Sequence, residues 1–279
     1  MSYRGSAAAT KRQAEILKQT GNLCFTKERF GAAIDAYTEA ITLCPNVPIY
    51  WTNRALCHLK RNDYTKVEND CTKALQLDSN TLKAHYLLGL ALLQRQQHSL
   101  GIKELEKALE LGRIAKGYMV EVIWQEIAKA KYAQWEHGAT NRTCRLQSLK
   151  DVCEKALKEK YLRDASEAEG FVDETEKVHL EQLEYLKEVL NKAAEADMPT
   201  EVPDHLCCGI TLDILRDPVI IPSGATYERA VLLEHLEKVG KWDPITRTPL
   251  SEHQLVPNFA IKEAVQAFLK DNGWAYKLG

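Results

Sequence analysis

A 34-residue period constrains this chain more than any other feature. It runs from Ala14 to about Gly112. Gly21, Ala55 and Gly89 share one register; so do Phe30, Tyr64 and His98; Ala33, Val67 and Gly101; Ala40, Ala74 and Ala108; and Leu43, Leu77 and Leu111. Small residues recur where two helices must approach closely, and bulky ones recur where a neighbouring surface must be filled. A unit of this length is a helix–turn–helix that cannot bury its apolar face alone, whereas three stacked units bury a continuous core. The period therefore predicts a superhelix over residues 11–116, with a concave binding face. Residues 1–10 are small and polar and read as a disordered start.

These columns resemble tetratricopeptide repeats. Cys71 and Leu105 depart from the aromatic pattern set by Tyr37, and Pro45 has no proline counterpart in the later repeats. Lys18 and Asn22 lie four apart on one helical face, Asn53 lies on the first helix of the second repeat, and Lys83 on that of the third. Ammonium groups neutralise carboxylates and asparagine amides donate hydrogen bonds to them, which suits the C-terminus of a peptide. As a set, these residues resemble the carboxylate clamp of chaperone-binding tetratricopeptide domains, with Tyr86 as an aromatic wall and Tyr118 and Glu121 as an extension. The clamp's further arginine would stand where this chain has Leu87. A generic groove for helices is the alternative reading.

From 117 to 198 the register is lost. Ile123, Ile127, Ala130 and Trp135 predict a helix capping the array, Gly138 to Arg142 a break, and Asp164 to Asp173 the turn of a charged helical hairpin. Each long helix carries one apolar stripe, Leu149, Val152, Ala156 and Leu157 on the first and Leu183, Leu186, Val189 and Leu190 on the second. Two such stripes exceed what one hairpin can bury, so self-association through it is expected.

The last segment, 202–277, predicts a small α+β domain. Val219, Ile220 and Ile221 with the turn residues Pro222-Ser223-Gly224 read as a hairpin. A helix from Glu228 to Val239 stops at Gly240, a loop covers Lys241 to Ser251, and a final helix starts at Asn258, a good N-cap. Cys207, Cys208, His205, His235 and His253 do not form the Cys-x-x-Cys spacing that structural zinc uses, so no metal is expected. Polar contacts among Asp213, Arg216, Asp217, Glu228, Arg229, Arg247 and Asn258 would hold the loops instead. Asp217-Pro218-Val219-Ile220-Ile221-Pro222-Ser223-Gly224-Ala225-Thr226-Tyr227-Glu228-Arg229, followed by Trp242-Asp243-Pro244-Ile245-Thr246-Arg247-Thr248-Pro249-Leu250, resembles the U-box, a RING-shaped domain without zinc found in ubiquitin ligases.

The resemblance implies recruitment of a ubiquitin-conjugating enzyme by Ile210 and Leu212 of a first loop and Pro244 and Arg247 of a second. It implies no covalent ubiquitin intermediate on this chain. Arg247 would orient ubiquitin across the complex, or would merely stabilise its loop through an ion pair; both readings stand at this stage. Repeats, hairpin and U-box in this order resemble the CHIP-like co-chaperone ubiquitin ligases. That family implies partners in the seventy- and ninety-kilodalton heat-shock proteins, gripped by an acidic Glu-Glu-Val-Asp tail, ubiquitination of misfolded clients, and a homodimer in the cytoplasm or nucleus. A non-catalytic adaptor and a U-box scaffold are the alternatives. The formal net charge of −2 gives no basic field for nucleic acid, and no apolar run approaches a membrane span. Eight cysteines scattered through helical patterns suit reduced thiols rather than a disulfide framework. No cofactor is expected.

Overall fold

The computed structural model describes residues 2–114, 119–167, 172–195 and 197–277, and the side chains of 8–114, 119–166, 174–195 and 197–277. Three helix pairs come first: α1 (Ser2–Thr26) with α2 (Phe30–Leu43), α3 (Pro48–Lys60) with α4 (Tyr64–Leu77), and α5 (Leu82–Gln94) with α6 (His98–Ile114). Helix α1 begins at Ser2, inside the segment expected to be disordered; Ala7, Ala8 and Ala9 carry the highest helix propensity of any residue.

The smallest repeat column is explained by what faces it. A Cβ on Gly21 would sit 2.5 Å from the Tyr37 ring, and one on Gly89 would sit 2.7 Å from Leu105. Where the facing column offers only the small Cys71, alanine is tolerated: Ala55 and Cys71 share one fully buried cluster. The departure at Cys71 is thus compensated across the helix pair. A further column belongs to the backbone. Glu28, Asn62 and Gln96, spaced by the same period, have φ of 57°, 58° and 61°. Each turns the chain from the first helix of its repeat into the second. The same pair of hydrogen bonds recurs, Glu28 N to Phe25 O and Arg29 N to Cys24 O, then Asn62 N to Leu59 O and Asp63 N to His58 O, then Gln96 N to Leu93 O and Gln97 N to Leu92 O.

Among the described residues the array buries the polar side chains of Thr52, Asn53, His58 and Asp70. Asp70 is 4% exposed, and its carboxylate accepts from Arg54 Nε at 2.9 Å and Arg54 Nη2 at 2.7 Å. Arg54 also donates to Thr38 Oγ1 at 3.0 Å and lies over the Trp51 ring. This fork spans α2, α3 and α4 and joins the first two repeats. His58 stands 4.0 Å from the same carboxylate; burial lowers its pKa, and Asp70 opposes that shift.

Helix α7 (Met119–Glu167) is continuous where a break was expected at Gly138 to Arg142. A single glycine costs a helix only about 1 kcal/mol, too little to end one of 49 residues, and Thr140 and Thr143 are accommodated within it, their hydroxyls turned back to Glu136 O and Ala139 O. Arg142 is further engaged by Asp197, to which Nε donates at 2.9 and 2.8 Å. Near its start, α7 caps the array: Ile123 and Ile127 are buried with Leu105, Ala108 and Leu109. Trp135, expected in the same cap, instead meets Gly273, where an added Cβ would lie 2.7 Å from Trp135 Cβ. Helix α8 (Val172–Glu195) follows. The expected hairpin turn centres on 168–171, which lie outside the described residues; α7 itself runs past Asp164 to Glu167. Leu149, Val152, Leu162, Val178, Leu180, Tyr185 and Val189 are exposed along these helices. The chain divides into two compact units, 1–134 with 277–279, and 135–276.

The C-terminal region carries β1 (Pro218–Ile220), β2 (Thr226–Glu228), α9 (Arg229–Lys238), β3 (Val256–Pro257) and α10 (Phe259–Asp271). The sheet order is β2-β1-β3, with Val219 opposite both Tyr227 and Pro257. Strand β3 was not expected; two residues are too few to leave an alternating pattern. Gly224 turns the hairpin at a φ of 85°. Glu228 accepts from the Arg216 amide at 2.7 Å and the Asp217 amide at 3.1 Å, and Arg229 Nε pairs with Asp217 at 2.7 Å. Asn258 caps α10 through Ile261 N and also donates to Thr226 Oγ1 at 3.0 Å. Among the described residues, no group of three His, Cys, Asp or Glu is placed to hold a metal. No described helix is long and apolar enough to cross a membrane.

Candidate functional site

Two surfaces concentrate the polar and apolar residues that the sequence singles out. The first is a pocket of about 230 Å³ in the repeat array, lined by Asn22, Phe25, Tyr37, Asn53, Leu56 and Lys83 among others. Its residues come from the first helices of three successive repeats, plus Tyr37 from α2. They are linked by hydrogen bonds. Lys83 Nζ donates to Asn53 Oδ1 at 2.7 Å, Asn53 Nδ2 donates to Asn22 Oδ1 at 3.2 Å, and the Tyr37 hydroxyl donates to the same Asn22 oxygen at 2.7 Å. Asn53 is 9% exposed.

Burial lowers the pKa of Lys83, while the nearby Cys57 and Cys71 push it the other way. Those thiols cannot neutralise it, because burial pushes Cys57 up to about 11 and Cys71 up to about 12. Among the described residues no carboxylate pairs with Lys83. A desolvated ammonium with no counter-charge favours an anion.

Three of the five residues expected in the clamp meet in this pocket: Asn22, Asn53 and Lys83. Lys18 is instead paired with Glu15, one turn earlier on α1. Tyr86 is half-buried and packs against the cores on both sides of α5, so it does not wall the pocket. Leu87 is 1% exposed, buried in the core that α5 shares with α3 and α4, so it does not stand in the pocket where a clamp arginine would. Glu121 is described on α7, whereas Tyr118 lies outside the described residues. Tyr37 is the residue that sequence reasoning missed. Its column was visible only as an aromatic core position, with nothing to show that its hydroxyl reaches Asn22.

The second surface is made by the two U-box loops. Ile210 is 39% exposed and Leu212 78%, and on the second loop Ile245 is 67% exposed. Pro244 is half-buried and Arg247 exposed. Leu212 and Arg247 have φ of 62° and 60°, the left-handed region that side chains disfavour. The folds of both loops pay for this locally. In the first, Leu212 N donates to Cys208 O and Cys208 N to Asp213 O, both at 2.8 Å. In the second, Asp243 N donates to Thr248 O at 2.8 Å and Arg247 N to Asp243 O at 2.9 Å.

Asp243 holds the second loop from within. It is 1% exposed, and its carboxylate accepts from Tyr227 Oη at 2.9 Å, Ile245 N at 3.0 Å and Thr246 Oγ1 at 2.5 Å. Burial alone would raise its pKa, but the hydrogen bonds from Thr246, the Ile245 amide, Ser223 and Tyr227 outweigh it and hold the group at about 2. The buried Tyr227 touches both loops, since a Cβ on Gly209 would lie 3.7 Å from its ring while its hydroxyl reaches Asp243. Arg247 makes no ion pair among the described residues. Its guanidinium lies 5.9 Å from the centre of the Trp242 ring, so the loop-stabilising ion pair considered for it is not formed.

Residues 202–274 match the family model of the U-box domain, and residues 82–111 match that of a tetratricopeptide repeat. U-box domain-containing protein 12 of Oryza sativa subsp. japonica is 40% identical over 72 residues, 26% of this chain and 12% of its own. Among solved structures, the first tetratricopeptide domain of Spaghetti (RPAP3) bound to the HSP90 peptide SRMEEVD is 28% identical, with a TM-score of 0.41, over 44% of this chain and 94% of that one. E3 ubiquitin-protein ligase CHIP of Arabidopsis thaliana is 62% identical over 268 residues, 95% of this chain and 96% of its own. With both regions matched and the likeness running nearly end to end, this chain belongs to the CHIP family of U-box E3 ubiquitin-protein ligases.

Proposed function

We propose that the repeat pocket grips the acidic C-terminal tail of heat-shock chaperones of the seventy- and ninety-kilodalton classes, so that the U-box ligase acts on chaperone-bound clients in the cytoplasm. The observation that carries this is the Lys83 ammonium, half-buried, without a carboxylate partner among the described residues, and facing a pocket lined by asparagines. A peptide ending in Glu-Glu-Val-Asp supplies two carboxylates at its last residue and an aliphatic side chain next to it. Phe25 and Leu56 offer that side chain an apolar wall, and Lys18 is free to exchange Glu15 for a tail carboxylate. Replacing Lys83 by alanine is expected to weaken binding of such a peptide by about 2 kcal/mol or more, the scale for truncating a buried charge-assisted contact. Isothermal titration measures this; unchanged affinity would mean that the pocket reads something else.

At the U-box, Ile210, Leu212 and Pro244 form the docking surface for the conjugating enzyme, and Arg247 orients the ubiquitin it carries. The thioester stays on the partner's cysteine, and this chain supplies position rather than a bond-making group. The exposed fork of Arg247, held by a strained loop and engaged with no carboxylate among the described residues, suits donation to two partners at once. Reconstituted ubiquitination of a chaperone with and without its last four residues tests the whole reading: modification that is indifferent to the tail would defeat it.

The exposed apolar residues of α7 and α8 support self-association, because neither helix covers them. Sedimentation is expected to give a dimer at micromolar concentration, and a monomer would remove this part of the proposal.

A further inference from the structure

We propose that Tyr37 is a positioning residue that makes the tail pocket specific for a free carboxylate, by locking the amide of Asn22 with its nitrogen toward the ligand. The inference rests on the tail-binding reading above and concerns how that pocket discriminates.

An asparagine amide presents either a donor or an acceptor, and the partners around it decide which. Here the decision starts from a group with no choice. Lys83 carries only donors, so the oxygen of Asn53 faces it, at 2.7 Å. The nitrogen of Asn53 must then face the other way, and it donates to Asn22 Oδ1 at 3.2 Å. The oxygen of Asn22 is therefore turned inward, and Tyr37 holds it there by donating at 2.7 Å. Burial pushes the Tyr37 pKa up to about 12, so its proton stays in place across the physiological range. Both asparagine oxygens are consumed inside the protein. What the linked amides leave toward the pocket is the Asn22 amide nitrogen and the unused protons of Lys83, all donors; the other hydroxyl of the lining, on Thr26, is tied back to Leu23 O at 3.0 Å. A carboxylate offers these donors two charged acceptor oxygens; a C-terminal amide offers one uncharged oxygen and brings donors of its own.

Loss of the Tyr37 hydroxyl removes the stronger of the two bonds that hold the Asn22 oxygen. The amide can then rotate and offer its oxygen to the ligand. That costs affinity for a carboxylate and gains it for an amide. Tyr37 also packs its ring against Gly21, which phenylalanine would do equally well.

The experiment compares two peptides ending in Glu-Glu-Val-Asp, one a free acid and one a C-terminal amide, titrated into the full chain. Tyr37→Phe is expected to weaken the free acid by about 5- to 10-fold, the scale of one lost hydrogen bond to an oriented polar group, and to leave the amide unchanged or tighter. In an Asn22→Ala background the same substitution is expected to change neither affinity, since there is no amide left to orient. Equal losses for both peptides, or an undiminished loss in the Asn22→Ala background, would make Tyr37 merely structural and overturn the inference. A wild-type chain that binds neither peptide would overturn the tail-binding reading, and this inference with it, whereas wild-type binding with no change in Tyr37→Phe sinks the inference alone.

Discussion

Leu212→Gly is expected to leave the U-box folded while lowering ubiquitin transfer at least about 30-fold, the equivalent of the 2 kcal/mol that marks an interface hot spot. Leu212 adopts a φ of 62°, where a side chain costs about 1–2 kcal/mol and glycine costs almost nothing. It is also 78% exposed, so the side chain repays none of that cost through burial within the described residues. Glycine would relieve the strain and lose some chain entropy, leaving stability within about 1 kcal/mol of the original. A leucine kept in a position that suits glycine points to a use outside the fold. Discharge of ubiquitin from a loaded conjugating enzyme measures the transfer, and thermal melting measures the fold. Ile210→Ala and Pro244→Ala belong to the same assay and are expected to abolish transfer with little change in melting. Normal discharge by Leu212→Gly would place the docking surface elsewhere on the domain.

Arg54→Ala is expected to destabilise the repeat array by about 3–5 kcal/mol, because it strands a buried carboxylate. Asp70 would stay at 4% exposure with its bidentate partner gone and His58 4.0 Å away. The bond to Thr38 and the packing on Trp51 would go as well, so the first and second repeats would lose one of the polar ties between them. Denaturant unfolding of the full chain reads the loss in its first transition. Replacing both members, Arg54→Met with Asp70→Leu, is expected to recover most of it, since an apolar pair of similar volume carries no desolvation cost. A loss below about 1 kcal/mol for Arg54→Ala would mean that Asp70 finds another partner or water.

The repeat array was legible because its physics is periodic. Gly21 and Gly89 stand where Tyr37 and Leu105 need room, and that requirement repeats every 34 residues, so it is written in the order of residues. The αL turn residues Glu28, Asn62 and Gln96 obey the same period, but none is the glycine that usually marks such a turn, and only the backbone angles show them. In the U-box, the turn at Pro222-Ser223-Gly224 and the cap at Asn258 were readable for the same reason: each depends on residues adjacent in sequence. The continuity of α7 through Gly138 was not readable, because one glycine weighs little in so long a helix and the partner of Arg142, Asp197, lies 55 residues away.

By itself, then, the sequence determined what depends on spacing: three helix pairs, a small α+β domain at the end, and the lysines and asparagines that share a helical face. Only the tertiary structure decided which of them meet. It linked Lys83 to Asn53, Asn53 to Asn22 and Tyr37 to Asn22, sent Leu87 into the core, left Lys18 with Glu15, and set Tyr227 beside Gly209 of one U-box loop and in a hydrogen bond with Asp243 of the other. Spacing along one helix is set by the local backbone, whereas a hydrogen bond between helices depends on distances and amide orientations that only packing creates.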